Sequence, residues 1–307
     1  MTKEANLDTS PYPRSKWEKL RRKLYKKLTL KKQRTAWANR RKLARALAEL
    51  EKYPKNSRAP RHGLPGQLVI SLTSYPARFH TLHLTLKSLL DQQVRPDKIL
   101  LWIAHGDAEQ LPAAVRELEG DRFEVRTCED IRNFKKILPT LAAYPDAFIL
   151  ICDDDTYYPD SWLKSIVDAY DPAQPSIVCT RAHQVTYLPD GSVAPYRKWK
   201  RNWAHVSTAT PRNDLLPTGN GGVLYPPGSL PALTSDMELI RKLSATSDDI
   251  WLFFMRREAG WPVKRVPGPK REYIEWPMTQ TGALWVLHRT GKKDEHIQDM
   301  VRHFGQP

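Results

Sequence analysis

The chain has 307 residues and a formal charge of +15, from 49 Lys and Arg against 34 Asp and Glu, a length that allows one large α/β domain or two small ones around a substantial core. The charge is uneven: residues 1–66 hold 20 basic and 5 acidic residues while the remainder holds 29 of each, so the body lacks the general basicity of a nucleic-acid binder. Cys128, Cys152 and Cys179 have no metal-ligand spacing and lie in or beside apolar runs, as reduced core residues of a cytoplasmic protein do, and without a run of about 18 apolar residues or an apolar leader neither a membrane span nor export is expected.

In chain order, Arg14 to Tyr53 contains no Pro or Gly, and apolar residues recur at Trp17, Leu20, Leu24 and Leu28, then Leu43, Leu47 and Leu50. That spacing predicts a basic amphipathic helix. It reads as an appendage packing on the body, a contact with an anionic membrane surface through residues 14–53, or a nucleic-acid or protein contact. Trp17, Tyr25 and Trp37 among the cations favour the lipid reading, which would make the protein peripheral at the cytoplasmic face of the inner membrane. Pro54, Pro60, Gly63, Pro65 and Gly66 then mark a linker. The expected division is an arm and linker over 1–62 and one catalytic domain over 63–307, its halves at about 67–160 and about 176–290.

Beyond the linker the pattern alternates. Leu68 to Leu72 reads as a strand, Thr81 to Leu90 as a helix, Lys98 to Ile103 as a strand and Pro112 to Leu118 as a helix. Phe123 to Arg126 follows as a short strand, Lys136 to Tyr144 as a helix and Phe148 to Cys152 as a strand. Short apolar strands alternating with helices predict a mostly parallel sheet covered on both faces. Ligands of such sheets lie beyond the carboxyl ends of the strands. That rule brings Thr73, Ser74 and Tyr75, Asp130 and Arg132, and Asp153 to Asp155 to one edge. After Ser176 to Thr180 the pattern changes: Pro189-Asp190-Gly191 reads as a hairpin turn, and Tyr187, Tyr196, Trp199 and Trp203 as a region suited to sugar rings or to an ordinary core.

The junction of Ala147–Cys152 with Asp153, Asp154 and Asp155 carries the most chemistry. Three adjacent carboxylates at a strand end repel one another unless a hard divalent cation neutralises them; a solvated acidic turn is the alternative. If the strand's alternation continues, Asp153 and Asp155 point one way and Asp154 the other. Gly219, Gly221 and Gly222 in Thr218–Gly222 would let backbone approach a bulky ligand. Arg132, Lys135 and Lys136 are candidates for phosphate contacts and Asp130 for a base or ribose contact, against the reading of a solvated helix start. Ser247 or Asp248 reads as the cap of a helix.

The stretches Val69–Pro76, Pro96–Ile99, Asp153–Pro159, Gly221–Pro227 and Asp248–Leu252 together resemble a bacterial family 2-like glycosyltransferase group of the GT-A type, over roughly residues 67 to 290. The resemblance implies a Rossmann-like α/β domain and a nucleoside-diphosphate sugar donor held by Thr73, Tyr75, Asp130, Arg132, Lys136, Asp153, Asp154, Gly221 and Gly222. It implies Mn²⁺ or Mg²⁺ on Asp155 and Asp153, with His288 completing the shell. It implies Asp249 as the base, with Asp248 beside it in place of the group's more usual Glu, and transfer with inversion to a glycan or lipid-linked acceptor in cell-surface polysaccharide or glycolipid synthesis. A nucleic-acid-binding protein using the arm and a haloacid dehalogenase-like phosphotransferase are the alternatives. The second wants Thr or Val where Tyr157 stands.

Overall fold

The computed structural model describes residues 16–279 and 291–307, with side chains from residue 33 onward. The chain divides at Leu47/Ala48, so the segment expected as linker belongs with the larger unit. The smaller unit consists of most of helix α1 (Lys16–Leu50). Among its described side chains Trp37 is 60% exposed, with the Arg41 guanidinium 4.6 Å above its ring.

In the larger unit, β1 (Leu68–Thr73), β2 (Lys98–Ala104), β3 (Phe123–Cys128) and β4 (Phe148–Ile151) run parallel, with Ile70 lying between Ile99 and Leu150. Three short strands follow: β5 (Thr156–Tyr157), β6 (Ile177–Cys179) and β7 (Ala182–Gln184). After them come β8 (Leu215–Pro217), β9 (Val223–Tyr225), β10 (Val263–Arg265) and β11 (Ile274–Glu275). The main sheet has seven strands in the order β10-β6-β9-β4-β1-β2-β3, and β9 alone is antiparallel to its neighbours. Pairs β7–β8 and β5–β11 form two small antiparallel sheets.

The helices are α2 (Phe79–Leu90), α3 (Ala113–Arg116), α4 (Leu138–Ala143), α5 (Trp162–Val167), α6 (Met237–Leu243), α7 (Asp248–Glu258) and α8 (Lys292–Phe304). They cover both faces, as expected for strands whose side chains are buried on both sides. Leu82, Leu86 and Leu89 of α2 pack on Leu68, Ile70, Leu72 and Leu150, while α7 packs on Ile149, Ile151, Val223 and Tyr225. Every residue from Ile250 to Arg256 is buried because α8, β8 and the Ala232–Ser235 turn also pack against α7. The result is the mostly parallel, Rossmann-like α/β sheet of the sequence expectation.

Two expected elements are shorter in the structure. The helix over 112–118 shrinks to the four residues of α3. The one expected from Lys136 starts at Leu138 with Pro139 in its first turn, where the missing amide costs nothing. The hairpin turn is present: Leu188 N–H donates to the Ser192 carbonyl at 2.8 Å, with Gly191 at φ +83. Among the described residues no helix is long and apolar enough to cross a membrane.

Candidate active site

The parallel strands β1 to β4 deliver their carboxyl ends to one edge, and the reversed strand β9 brings its preceding loop, Thr218–Gly222, to the same edge. Here the aspartates divide differently from the alternation expected. Strand β4 stops at Ile151, so Asp153–Asp155 form a turn. Two basic side chains sort them.

The first is Arg78, at the entrance to α2. Its Nη1 donates to Asp154 Oδ1 at 2.6 Å and its Nη2 lies 3.1 Å from Asp155 Oδ2. Ser74 Oγ donates to Asp154 Oδ2 at 2.5 Å and Thr85 Oγ1 to the Asp154 carbonyl at 2.8 Å. The Asp154 and Asp155 side chains are 4% and 6% exposed. Burial opposes the charge on Arg78, but Asp154 and Asp155 overcome it and hold the guanidinium above its ordinary range. Burial, then the charge of Asp154, pushes Asp155 up to about 7 although Arg78 works the other way. Two carboxylates thus share one guanidinium at this corner.

The second is Lys136, whose ammonium is buried between separate parts of the chain. It donates to Asp153 Oδ1 at 2.9 Å and lies 3.0 Å from Asp248 Oδ2. The latter contact is ionic without hydrogen-bond alignment, so that oxygen keeps an open acceptor position. Asn133 Nδ2 donates to Asp248 Oδ1. Burial disfavours the lysine's charge, but Asp153, Asp248 and Asp249 reverse the balance and raise Lys136 well above its usual range. Asp249 is half-buried and accepts the Gly219 amide at 3.2 Å. Burial and Asp248 push it up to about 6, while Lys293 and Lys136 pull it down. Ser247 occupies the cap position of α7 without a side-chain capping bond, and Asp248 is spent on Lys136 and Asn133.

The glycine loop approaches the chain's own side chains. A Cβ on Gly219 would lie 2.8 Å from Lys136 Nζ and 3.0 Å from Asp153 Oδ1. One on Gly222, at φ +89, would lie 2.4 Å from the Trp162 ring, and Trp162 Nε1 donates to the Gly221 carbonyl at 2.7 Å. These approaches hold the loop over the carboxylates.

The other expected residues scatter. Thr73 Oγ1 donates to the Trp102 carbonyl at 2.7 Å. The Tyr75 ring lies under Arg78 at 5.4 Å, and its hydroxyl is buried without a hydrogen-bond partner among the described residues. Asp130 accepts the Arg132 amide at 3.0 Å and buried Lys135 at 2.6 Å, with Lys135 the first cause of its lowered pKa. Arg132 is exposed at φ +55. Trp199 is core, its Nε1 donating to the Ala194 carbonyl at 2.8 Å, whereas Tyr196 and Trp203 are half-buried. His288 lies outside the described residues. Ser74 reaches the edge as expected, whereas Arg78 and the central role of Lys136 were not foreseen. A cation placed just before an apolar helix, as in Pro76-Ala77-Arg78-Phe79, was the available signal for Arg78.

Five carboxylates, Asp153, Asp154, Asp155, Asp248 and Asp249, thus gather around the two cations Arg78 and Lys136. Hard oxygen donors in a surplus of negative charge suit Mg²⁺ or Mn²⁺. Among the described residues no group of three or more His, Cys, Asp or Glu is arranged to hold a metal ion. The fold and this edge define an α/β protein with a carboxylate-lined site under a glycine loop.

No protein-family model and no curated protein matches the chain. Solved structures with partial likeness include a mannosyltransferase from Pyrobaculum calidifontis in complex with GDP-Man and Mn²⁺, at 15% identity and a TM-score of 0.48, covering 88% of this chain and 73% of that one. Another is a 4-diphosphocytidyl-2C-methyl-D-erythritol synthase from Anaerococcus prevotii, at 15% identity and a TM-score of 0.42, covering 73% of this chain and 99% of that one.

Proposed function

We propose that the protein is a metal-dependent, inverting glycosyltransferase of the GT-A type that moves a sugar from a nucleoside diphosphate to an acceptor hydroxyl. The observation that carries the reading is the placement of half-buried Asp249, poised at about 6, beside Asp153 and Lys136 at the carboxyl edge of the sheet. A base held near neutrality must border the donor site, and the loop Thr218–Gly222 connects the two through the hydrogen bond that the Gly219 amide donates to Asp249.

In this reading Asp155 and Asp153 hold Mn²⁺ or Mg²⁺. When bound, the ion supplies Lewis-acid stabilisation of the charge on the departing diphosphate. The chain's own groups do the rest. Asp249 takes the proton of the acceptor hydroxyl as that oxygen forms its bond to the anomeric carbon. The bond from that carbon to the diphosphate oxygen breaks on the opposite side, with its electron pair leaving on the phosphate. Lys136 bridges Asp153 and Asp248 and acts electrostatically on Asp249. Arg78 fixes the Asp154–Asp155 turn. Attack opposite the leaving group inverts the anomeric configuration.

Asp155→Ala is expected to abolish both donor hydrolysis and transfer, and Asp249→Asn to keep donor binding and lose transfer, measured by product release and by nucleotide titration. Transfer at the normal rate by Asp249→Asn removes the base assignment. A product that retains the donor configuration contradicts direct displacement. A glycan or lipid-linked acceptor and membrane contact through the basic arm belong to the same proposal. Liposome binding unchanged by deletion of residues 1–60 would remove the arm's part in it.

A further inference from the structure

Although charge is balanced beyond residue 66, the excursion over residues 181–214 holds six basic and two acidic residues. Both acids are already engaged. Asp214 accepts Arg212 at 2.7 Å and Gln184 at 2.8 Å, and Asp190 closes the hairpin on Ser192 at 2.6 Å. Among the described residues Arg181, Arg197, Lys198, Lys200, Arg201 and Lys293 make no ion pair.

Two of these cations converge on one ring. Lys293 Nζ lies 4.7 Å above the Tyr196 ring and 3.3 Å from its hydroxyl, and the Arg201 guanidinium lies 5.4 Å from the same ring. His183 packs on Tyr196 at 5.8 Å, and burial followed by the charges of Arg181 and Lys293 pushes its ring down to about 3, so it stays neutral. Farther along, Trp203 stacks on His205 at 5.3 Å with Lys200 at 5.0 Å over its ring. Two carboxylates border the bank, Asp294 accepting the Tyr196 amide at 2.6 Å and Asp214 paired with Arg212, but the cations outnumber them, an arrangement that an incoming anion relieves. Half-buried aromatic faces beside cations suit a sugar ring that bears such a charge.

The bank also reaches the base. Lys293 acts electrostatically on Asp249, and Arg181 Nη1 donates at 2.7 Å to Thr218 Oγ1, next to the glycine whose amide Asp249 accepts. We propose that the bank formed by Arg181, Tyr196, Arg201, Trp203 and Lys293 is the acceptor subsite and that the acceptor sugar carries a phosphate or carboxylate. Calling the ligand an acceptor rests on the glycosyltransferase reading; the anionic-sugar site itself does not.

The test titrates the full chain, without donor or metal, with glucose 6-phosphate, glucuronic acid and glucose, followed by calorimetry and by tryptophan emission. At least one anionic sugar is expected to bind ten times more tightly than glucose, and comparing the two tells phosphate from carboxylate. Arg201→Gln and Lys293→Gln should each weaken that binding at least tenfold, and Lys293→Arg should restore most of it. Exposed Arg201 keeps the test decisive if the Lys293 variant does not fold. Glucose binding as tightly as both charged sugars, unchanged binding in Arg201→Gln, or inorganic phosphate or a single-stranded oligonucleotide binding these residues more tightly than either sugar would overturn the assignment. Because no donor is present, anionic-sugar binding in a chain that transfers nothing would remove the transferase reading and leave the subsite. Transfer to neutral and charged acceptors at equal rates would do the reverse.

Discussion

The two basic clamps of the site hold similar groups in different surroundings. Arg78 closes on Asp154 and Asp155, whose side chains are 4% and 6% exposed, and ties the aspartate turn to the start of α2. Lys136 holds Asp153 and Asp248, and the Asp153 side chain remains 30% exposed with half-buried Asp249 beside it. A guanidinium reaches Asp154 and Asp155 through separate nitrogens, while an ammonium is a point charge that several oxygens share. The first arrangement ties Asp154 into the scaffold beside Asp155, the proposed metal ligand; the second leaves Asp153 more open to water. The same charge pairing therefore has separate consequences according to how much water reaches it.

The contrast can be tested from the largest effect downward. Asp249→Asn should lower transfer by about 10²–10⁴-fold, the range for a lost general base, with donor affinity nearly unchanged. Arg78→Met should destabilise the fold by about 3–5 kcal/mol in denaturant titration, because two enclosed carboxylates lose their cation. Lys136→Met should cost a similar amount, because Asp248, 10% exposed, also loses its cation although water can reach Asp153, yet should lose more transfer activity than an equally destabilised core variant. A Lys136→Met variant that loses no more transfer than such a core variant would break the distinction. Gly219→Ala, which drives a methyl into Lys136 Nζ, should reproduce part of the Lys136 phenotype, costing about 1–3 kcal/mol as overpacking does.

The smallest effect is on pH dependence. Asp249 must be ionised to take a proton, so transfer should rise with pH and reach half its limit at about 6, the value to which its carboxyl is raised from 3.8. Folding responds in the opposite direction. The folded chain holds this proton more tightly, so the contribution is complete below the unfolded value of 3.8 and is lost as pH rises through about 6. Asp249→Asn should flatten that part of the melting-temperature profile, and an unchanged profile would place the group's titration elsewhere.

The main strands were legible because β1, β2 and β4 are short apolar runs bounded by turn residues, and the parallel-sheet rule then put the aspartates at a ligand-binding edge. The grouping of those aspartates was not legible. Alternation predicts a pair at 153 and 155 only while the strand lasts, and β4 ends at Ile151. Lys136 was equally hidden. In sequence it follows Lys135 and resembles a solvated helix start, but its partners Asp153 and Asp248 are 17 and 112 positions away, which only the tertiary fold reveals. Trp199 and Trp203 look alike in sequence, yet one fills the core and the other remains half-buried, because their neighbours come from distant segments.

The reversed strand β9 has a consequence for how this molecule can vary. Strand β6 ends at the functional edge and β9 begins there, so the chain between them leaves and re-enters the sheet on the same side. Its ends are pinned close together whatever its length, and lengthening a loop whose ends are already joined adds only about 0.6 kcal/mol per doubling. Insertions or deletions in the exposed turns of this excursion can change its surface while the sheet register and its core residues, Val193, Trp199 and Leu215, stay intact. One strand running backwards thus separates the part of the chain that can diversify from the part that must be kept.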